Sequence, residues 1–263
     1  MQESTSFCYG TRVEKVQSFQ DAVLGLIAGT RWKLEVVEHT GSTNSDLAAL
    51  ARTGHCPDFT VLVALDQGTG KGRLARTWTT PPGTAVAMSV ALPLAGEHWG
   101  LVPIAMGVAV VRALADCGLQ ATLKWPNDVY IGTKKICGVL GEIAEATIVI
   151  GAGVNVLQTA QNIGFDTGIS VRMAGSDATR EEVVARVLIH LEETVDLLES
   201  DPHALIESYR TSSATVGKPV RIYLDETTYV EGQAIDVAED GQLLVMIDGD
   251  VRPFASGDVY HLR

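Results

Sequence analysis

The spacing of apolar residues divides the chain into a long first part of mixed helices and strands and a short final part of strands alone. Apolar positions at helical intervals predict helices over 16–27, 98–117, 179–200 and 202–210. Apolar runs rich in Val, Leu and Ile predict strands over 32–37, 59–65, 84–94 and 146–156. After residue 216, turns separate short strand patterns over 220–224, 229–237, 242–247, 251–255 and 259–262.

The change of pattern indicates a domain boundary. The segment 211–215 is small and polar, which is typical of a linker. We therefore expect one domain over residues 1–214 and a second over residues 215–263. About 45 residues of short strands suit a small SH3-like barrel.

The stretch from 123 to 142 predicts a hairpin around which the rest of the first domain is organised. Pro126 interrupts the preceding strand because proline has no N–H to donate to a neighbouring strand. Apolar strands over 129–131 and 136–143 then flank a turn at Gly132.

Three charged residues, Asp128, Lys134 and Lys135, lie at the ends of this hairpin. Lysines beside turns are commonly solvated, and we expect this of Lys134. Lys135 instead comes directly before an apolar strand that contains Gly138 and Gly141, and glycine within a strand often marks the close approach of a ligand. We therefore expect Lys135 to be a fixed positive charge for an anionic group.

Two loops carry further polar chemistry. Ser42, Thr43 and Asn44 precede a helical run at 47–51; they suit helix capping and equally suit hydrogen bonding to a small polar ring. The loop 68–78 has glycines at alternate positions together with Lys71 and Arg73, a pattern compatible with an anion site or with a flexible basic surface. It is not a Walker A loop, because glycine follows the lysine.

Composition and charge narrow the function classes. The chain has 263 residues and a net charge of −12, which disfavours sequence-independent nucleic-acid binding because phosphates repel such a surface. Four widely spaced cysteines indicate free thiols in a reducing cytoplasm. The polar N-terminus is no signal peptide. We expect no membrane span, because Arg112 interrupts the longest apolar run before it reaches about 18 residues.

Four ordered motifs closely resemble the signature of biotin protein ligases, the enzymes that attach biotin to carrier proteins. They are S-T-N at 42–44, Q-G-T-G-K-G-R-L-A-R-T-W at 67–78, K-W-P-N-D with K-I-C-G-V-L-G-E at 124–142, and G-A-G-V-N at 151–155. The last could suggest a dinucleotide-binding fingerprint, but no third glycine opens a helix after it.

The resemblance implies roles for the matched residues. Lys135, Arg73 and Asp128 are implied to be catalytic, with Lys135 at the reacting centre. The implied substrate-binding residues are Ser42, Thr43, Asn44, Gln67, Gly70, Lys71, Gly72, Arg73, Lys135 and Gly138. The implied nucleotide-binding residues are Trp78, Asn127, Asp128, Gly153 and Asn155. No metal ligand is assigned, and Asp128 could either place a metal ion or accept a proton.

The chain departs from the family pattern at three places. Lys71 replaces an arginine, which keeps the charge but loses the bidentate fork. Ala75 replaces a glycine and removes a flexible joint from the loop. Around Gly168, where some relatives offer an aromatic side chain to adenine, the only aromatic residue is Phe165.

The resemblance also implies a fold and a reaction. The fold is α+β, a central mixed β-sheet flanked by helices of the class II synthetase-like type that biotin and lipoate ligases share, plus a C-terminal SH3-like barrel. The implied reaction uses ATP, biotin and Mg²⁺ to attach biotin through biotinyl-5′-AMP to a lysine of a biotin carboxyl carrier protein. A cytoplasmic enzyme without nucleic-acid or membrane partners is expected, and a homodimer is compatible with it.

Two rival functions stay open. A lipoate ligase or octanoyltransferase shares the fold and the central lysine, although Ser42, Thr43, Asn44 and Gln67 suit a ureido ring better than an aliphatic chain. A non-enzymatic biotin-dependent regulator belongs to another class. Only 31 residues precede the first predicted strand, and we expect that to be too short for a helix-turn-helix domain.

Overall fold

The computed structural model describes residues 12–73, 76–94, 98–225 and 227–262. Its helices are α1 Arg12–Leu26, α2 Thr43–Arg52, α3 Val102–Asp116, α4 Arg180–Ser200 and α5 Pro202–Ser212. The first nine strands are β1 Lys33–Thr40, β2 Thr60–Gln67, β3 Gly70–Lys71, β4 Thr77–Trp78, β5 Ala85–Pro93, β6 Thr122–Lys124, β7 Asp128–Ile131, β8 Lys134–Ala144 and β9 Thr147–Asn155. The last five are β10 Pro219–Tyr223, β11 Tyr229–Val237, β12 Leu243–Ile247, β13 Asp250–Phe254 and β14 Asp258–His261.

Seven strands form the central sheet in the order β1-β2-β5-β9-β8-β7-β6. The pair β1 and β2 is parallel, whereas the other neighbours run antiparallel. The expected mixed sheet is therefore confirmed. The predicted hairpin is β7 and β8, and its last strand continues in register with β9 from Cys137↔Val154 to Ala144↔Thr147.

The two faces of the sheet are covered by different helices because side chains alternate along a strand. On β2, Val61 and Val63 belong to the large apolar core that also contains the buried faces of α1, α3, α4 and α5. Leu62 points the other way, into a smaller core with α2. Helix α4 begins with the predicted capping box, in which Thr179 and Glu182 bond each other's backbone N–H groups.

We expected that no apolar run would be long enough to span a membrane. This was wrong, because one segment of the chain is long and apolar enough by length and composition alone. The window Trp99–Asp116, which joins a 3-10 turn to α3, contains 18 residues and passes that test. Of this window 61% is buried, and α3 packs between the sheet and the helices α4 and α5. The window is therefore a core helix of this fold.

The C-terminal strands form a separate antiparallel sheet in the order β13-β12-β11-β10-β14. A bulge between Ala234 and Asp236 bends β11, as strong curvature of a small sheet requires. Its buried residues, among them Val220 and Val245, join the large core. The expected SH3-like C-terminal unit is confirmed.

The predicted linker 211–215 is not a loose connector. Its first two residues complete α5, and Ser213 forms a parallel bridge with Leu123 of β6. Thr215 is fully buried, and its hydroxyl accepts a hydrogen bond of 3.1 Å from the backbone N–H of Trp125. The segment 123–125 of the central sheet is thus hydrogen-bonded to the residues that lead into the C-terminal sheet.

We expect Leu188→Ala to lower the free energy of unfolding by about 2–5 kcal/mol, because the leucine is fully buried on α4 and its removal leaves a cavity. Urea unfolding followed by circular dichroism measures the change. The neighbouring Ile189 is 36% exposed, so Ile189→Ala should change stability by roughly 1 kcal/mol or less. Equal effects of the two substitutions would contradict this description of the core.

Candidate active site

A cavity of about 420 Å³ opens where β8, β9, the start of α2 and the C-terminal sheet meet. Most of the residues that the sequence motifs single out line it. These are Ser42, Thr43, Asn44, Gln67, Lys71, Gly72, Arg73, Trp78, Asn127, Asp128, Lys135, Gly138 and Gly153. The predicted residues that do not line it are Gly70 and Asn155.

Lys135 is fixed at the wall of the cavity by its backbone and by its side chain. Its backbone N–H donates to Thr167 O at 2.8 Å, and its carbonyl accepts from Ile169 N at 3.0 Å. Its Nζ lies 2.6 Å from Asp128 Oδ1, and each of these two side chains is 23% exposed. A positive charge held in this way can bind an anion without first being ordered, as its position before the glycine-containing strand predicted.

Glycines on β8 and β9 leave room for the side chains of the site. Gly138 and Gly153 are opposite each other in the sheet. A Cβ on Gly153 would lie 2.7 Å from Trp78 Nε1, and one on Gly138 would lie 3.3 Å from Lys135 Nζ. The Trp78 ring therefore lies against bare backbone, with Lys135 Nζ 5.3 Å from its centre.

Phe165 stands beside this tryptophan and also lines the cavity. The ring centres of Trp78 and Phe165 are 6.3 Å apart at 62°, an edge-to-face arrangement. The indole N–H is buried and has no acceptor. This pair supplies an aromatic wall next to the lysine.

The S-T-N motif both caps α2 and faces the cavity, so the two interpretations of it are compatible. Ser42 is the N-cap and accepts from Ser45 N at 3.4 Å. The backbone N–H of Thr43 donates to Gln67 Oε1 at 3.0 Å, which fixes the side chain of Gln67. All three motif residues are buried, with 3–5% exposure.

Ser89 on β5 also belongs to this polar cluster, although it was not among the predicted site residues. Its hydroxyl donates to Asn44 Oδ1 at 2.5 Å, so the 2.7 Å contact with Thr43 Oγ1 has threonine as the donor. Asn44 Nδ2 donates in turn to Leu140 O at 3.0 Å. The available signal was that Ser89 is the only hydroxyl residue in an otherwise apolar strand.

Gly151 explains why Asn44 can reach the sheet. A Cβ at this position would lie 2.0 Å from Asn44 Oδ1, a distance no side chain tolerates. The polar cluster therefore requires glycine at 151, a role that the sequence motif alone did not indicate.

The basic loop folds as a two-stranded ribbon, β3 and β4, with Gly70 paired to Trp78. A Cβ on Gly70 would lie 2.4 Å from Trp78 O, so the close pairing of β3 with β4 requires glycine at this position. Arg73 Nη1 reaches Asn127 Oδ1 at 3.3 Å. Burial lowers the pKa of Arg73. Ala75, which we expected to make the loop less flexible because it replaces a glycine of the family pattern, lies outside the described residues.

The C-terminal sheet forms one wall of the cavity through residues 257–260. Arg76 of the loop pairs with Asp258 of β14, and Arg73 also donates to Gly257 O at 3.4 Å. The loop and the C-terminal unit therefore close the site together. None of the predicted site residues belongs to the C-terminal unit.

Asn155 serves a structural purpose here. It is 1% exposed, its Nδ2 donates to Ile169 O at 3.2 Å, and its Oδ1 accepts from Gln158 Nε2 at 3.0 Å. These bonds hold the segment that carries Phe165 and covers Lys135. Its role in nucleotide binding stays a prediction, and the structure adds that these hydrogen bonds support the residues around it.

The cavity is rich in positive charge although the chain is acidic. Lys71, Arg73, Lys124 and Lys135 line it, against the carboxylates Asp128 and Asp258. Opposing a net charge of −12, this local excess favours anions that enter the cavity. Beside it, the neutral Ser42–Asn44 cluster offers hydrogen bonds to an uncharged polar group.

Comparison with known proteins agrees with this arrangement. Residues 36–155 match the model of the biotin/lipoate A/B protein ligase family, and residues 215–262 match the biotin protein ligase C-terminal domain. The biotin–[acetyl-CoA-carboxylase] ligase of Mycobacterium tuberculosis is 33% identical over 94% of this chain and 95% of its own length. The bifunctional ligase/repressor BirA of Escherichia coli is 26% identical over 90% of this chain and 76% of its own length.

A solved structure shares the architecture. Biotin protein ligase from Aquifex aeolicus in complex with biotin and ATP superposes with a TM-score of 0.76 at 26% identity, covering 88% of this chain and 99% of that one. Both parts of the chain therefore have counterparts in one kind of enzyme. With its catalytic fold, its C-terminal unit and the charged cavity between them, the chain belongs to the biotin protein ligase family.

Proposed function

We propose that this chain attaches biotin to a lysine of biotin carboxyl carrier proteins, using ATP and passing through biotinyl-5′-AMP. The observation that carries the proposal is the position of Lys135, whose amine is held in a glycine-walled cavity beside a neutral hydrogen-bonding cluster. The first feature suits the reacting carboxylate and phosphate, and the second suits the ureido ring of biotin. The Aquifex aeolicus relative was solved in complex with biotin and ATP, the two ligands that the proposal requires.

In the first step a carboxylate oxygen of biotin attacks the α-phosphorus of ATP, and pyrophosphate leaves. Both reactants are anions, so their repulsion must be offset by fixed positive charge. Lys135, Arg73 and Lys71, all of which line the cavity, supply it. The burial of the Arg73 guanidinium strengthens its attraction for phosphate because less water screens it.

Mg²⁺ fits this site as an ion carried by the nucleotide. Within the described residues no three His, Cys, Asp or Glu side chains come together as a metal cluster. Asp128 and Asn127 do offer oxygen atoms at the cavity, and Mg²⁺ is commonly held by one or two such ligands plus substrate phosphates. When bound, the ion would neutralise phosphate charge.

In the second step the ε-amine of the carrier lysine attacks the acyl carbon of the adenylate, and AMP leaves. A free lysine has a pKa near ~10.4, so at neutral pH only about one amine in several thousand is unprotonated. The positive charges of Lys135 and Arg73 would raise that fraction by repelling the proton. Asp128, 2.6 Å from Lys135, is the carboxylate placed to receive it.

The polar cluster distinguishes this function from that of a lipoate ligase. An aliphatic acyl chain would offer no acceptor to the Gln67 Nε2–H groups or to the Ser42 O–H group, both of which line the cavity, and covering them without an acceptor costs free energy. A non-enzymatic regulator would not need the lysine and arginine beside that cluster. We also infer a cytoplasmic location, which the free thiols of Cys56, Cys117 and Cys137 support.

The direct test is to incubate the protein with biotin, ATP, Mg²⁺ and a biotin carboxyl carrier domain. Mass spectrometry should show one added biotinyl group on one carrier lysine, and the addition should require ATP. Lipoate offered in place of biotin should give no adduct. Preferential transfer of lipoate would overturn the proposed substrate.

We expect Lys135→Ala to slow biotin-dependent release of pyrophosphate about 10²–10³-fold, because one fixed charge at the reacting phosphate is lost. The matched control is Lys134→Ala, since Lys134 is exposed and lies outside the cavity. A pyrophosphate assay with saturating ATP measures the effect. Release at the wild-type rate from the Lys135 variant would remove this residue from the mechanism.

We expect Ser89→Ala to weaken biotin binding about tenfold, because Thr43 and Asn44 lose the hydroxyl that holds them in place. Titration calorimetry with biotin measures the dissociation constant. Ser45→Ala is the control: the Ser45 hydroxyl is buried without a partner, so its removal breaks no hydrogen bond. Unchanged affinity in the Ser89 variant would show that the cluster does not organise the biotin site.

A further inference from the structure

Lys124 is a positive charge of the cavity for which the first step, as described, has no use. It ends β6, directly before the cis peptide bond between Trp125 and Pro126, and it is half-buried. Its Nζ lies 5.3 Å from the centre of the Tyr130 ring and 5.7 Å from that of Tyr260. Two aromatic faces, one from each part of the chain, therefore flank the amine.

Among the described residues, no carboxylate forms a close ion pair with this amine. Among the ion pairs of the described residues within 4 Å, Lys124 has none, whereas Asp128 is taken by Lys135 and Asp258 by Arg76. Burial lowers the pKa of Lys124, and the positive charge of Lys135 adds to the effect, while Asp128 and Asp258 oppose it. The chain thus keeps a partly desolvated cation without a partner of its own, at a cost in stability that an incoming anion would offset.

The aromatic neighbours leave the charge available. Burial and the negative charge of Asp128 raise the pKa of Tyr130 to about 12, so this phenol stays neutral at physiological pH. Tyr260 is 51% exposed and lines the cavity together with Lys124. Both rings contact the amine through cation–π interactions, which leave its positive charge in place.

Lys124 and Lys135 share a single cavity but approach it from different strands. Lys124 is the cross-strand neighbour of Asp128, whose carboxylate bonds Lys135. Lys124 lies toward the C-terminal sheet, and Lys135 lies against the glycines of β8 and β9. An ATP molecule with its α-phosphate at Lys135 must place two further phosphates in the same cavity. Lys124 lines that cavity and has no ion-pair partner among the described residues, so its charge is available to bind them.

We propose that Lys124 binds the β- and γ-phosphates of ATP and stabilises pyrophosphate as it leaves. This inference rests on the proposed function. As the carboxylate oxygen bonds to the α-phosphorus, the bond from that phosphorus to the bridging oxygen breaks, and its electron pair stays on pyrophosphate. Negative charge therefore grows on the leaving group, where a fixed ammonium group stabilises the transition state more than the bound substrate.

The test separates the two steps in three variants: Lys124→Met, Lys124→Arg and the control Lys134→Met. The first step is measured as biotin-dependent exchange of pyrophosphate into ATP, with the KM for ATP and the inhibition constant of added pyrophosphate. The second step is measured as transfer from supplied biotinyl-5′-AMP to a carrier domain. Calorimetric titration with biotin establishes that each variant has a folded pocket.

We expect Lys124→Met to raise the KM for ATP and the pyrophosphate inhibition constant about 10–100-fold, the size expected for loss of one charged hydrogen bond. Biotin affinity and transfer from biotinyl-5′-AMP should stay within about twofold of wild type. Lys124→Arg should recover most of the loss because it keeps the charge. Lys134→Met should behave as wild type.

Two outcomes would overturn the inference. One is an unchanged pyrophosphate inhibition constant in Lys124→Met. The other is slowed transfer from biotinyl-5′-AMP, which would place Lys124 in the second step as an acceptor for the carrier lysine's proton. A wild-type protein without biotin-dependent exchange would instead refute the proposed function, and this inference with it.

Discussion

The site depends on a patch of bare backbone in the middle of the central sheet. At Gly138, Gly151 and Gly153 there is no side chain, so Trp78, Lys135 and Asn44 can lie directly against β8 and β9. Even a methyl group at 151 or 153 would come within 2.7 Å of one of these side chains. The close fit holds these side chains in place, which is what preorganised electrostatic catalysis requires.

Around this patch the chain gathers its positive charges from distant segments. The ribbon β3–β4 brings Arg73 from one segment, and β6 and β8 bring Lys124 and Lys135 from another. Their mutual repulsion is limited by Asp128 and Asp258, each of which bonds one cation of the site or its rim. An overall charge of −12 makes this arrangement a local exception that an anionic substrate can find.

Much of the fold could be predicted from the sequence because its signals are local. Hydrophobic periodicity located the helices and strands, and Lys135 could be singled out by its place between a turn and a glycine-containing strand. Ser89 and Lys124 could not, because their importance comes from partners on other strands, such as Asn44 and Tyr260. The motif match for Asn155 likewise gave no sign that its side chain bonds the neighbouring segment at Ile169 O.

The C-terminal unit itself was predicted, but its place at the cavity was not, since nothing local shows which surface a small barrel packs against. Trp125 makes the connection plain: its backbone N–H bonds Thr215, and its indole N–H bonds Gly241 O at 3.0 Å. The residues that follow it, Asn127 and Asp128, face the cavity. Replacing this barrel with that of a homologue would consequently change the partners of Trp125, two residues before Asn127, so the two parts of the chain have to match each other at this contact.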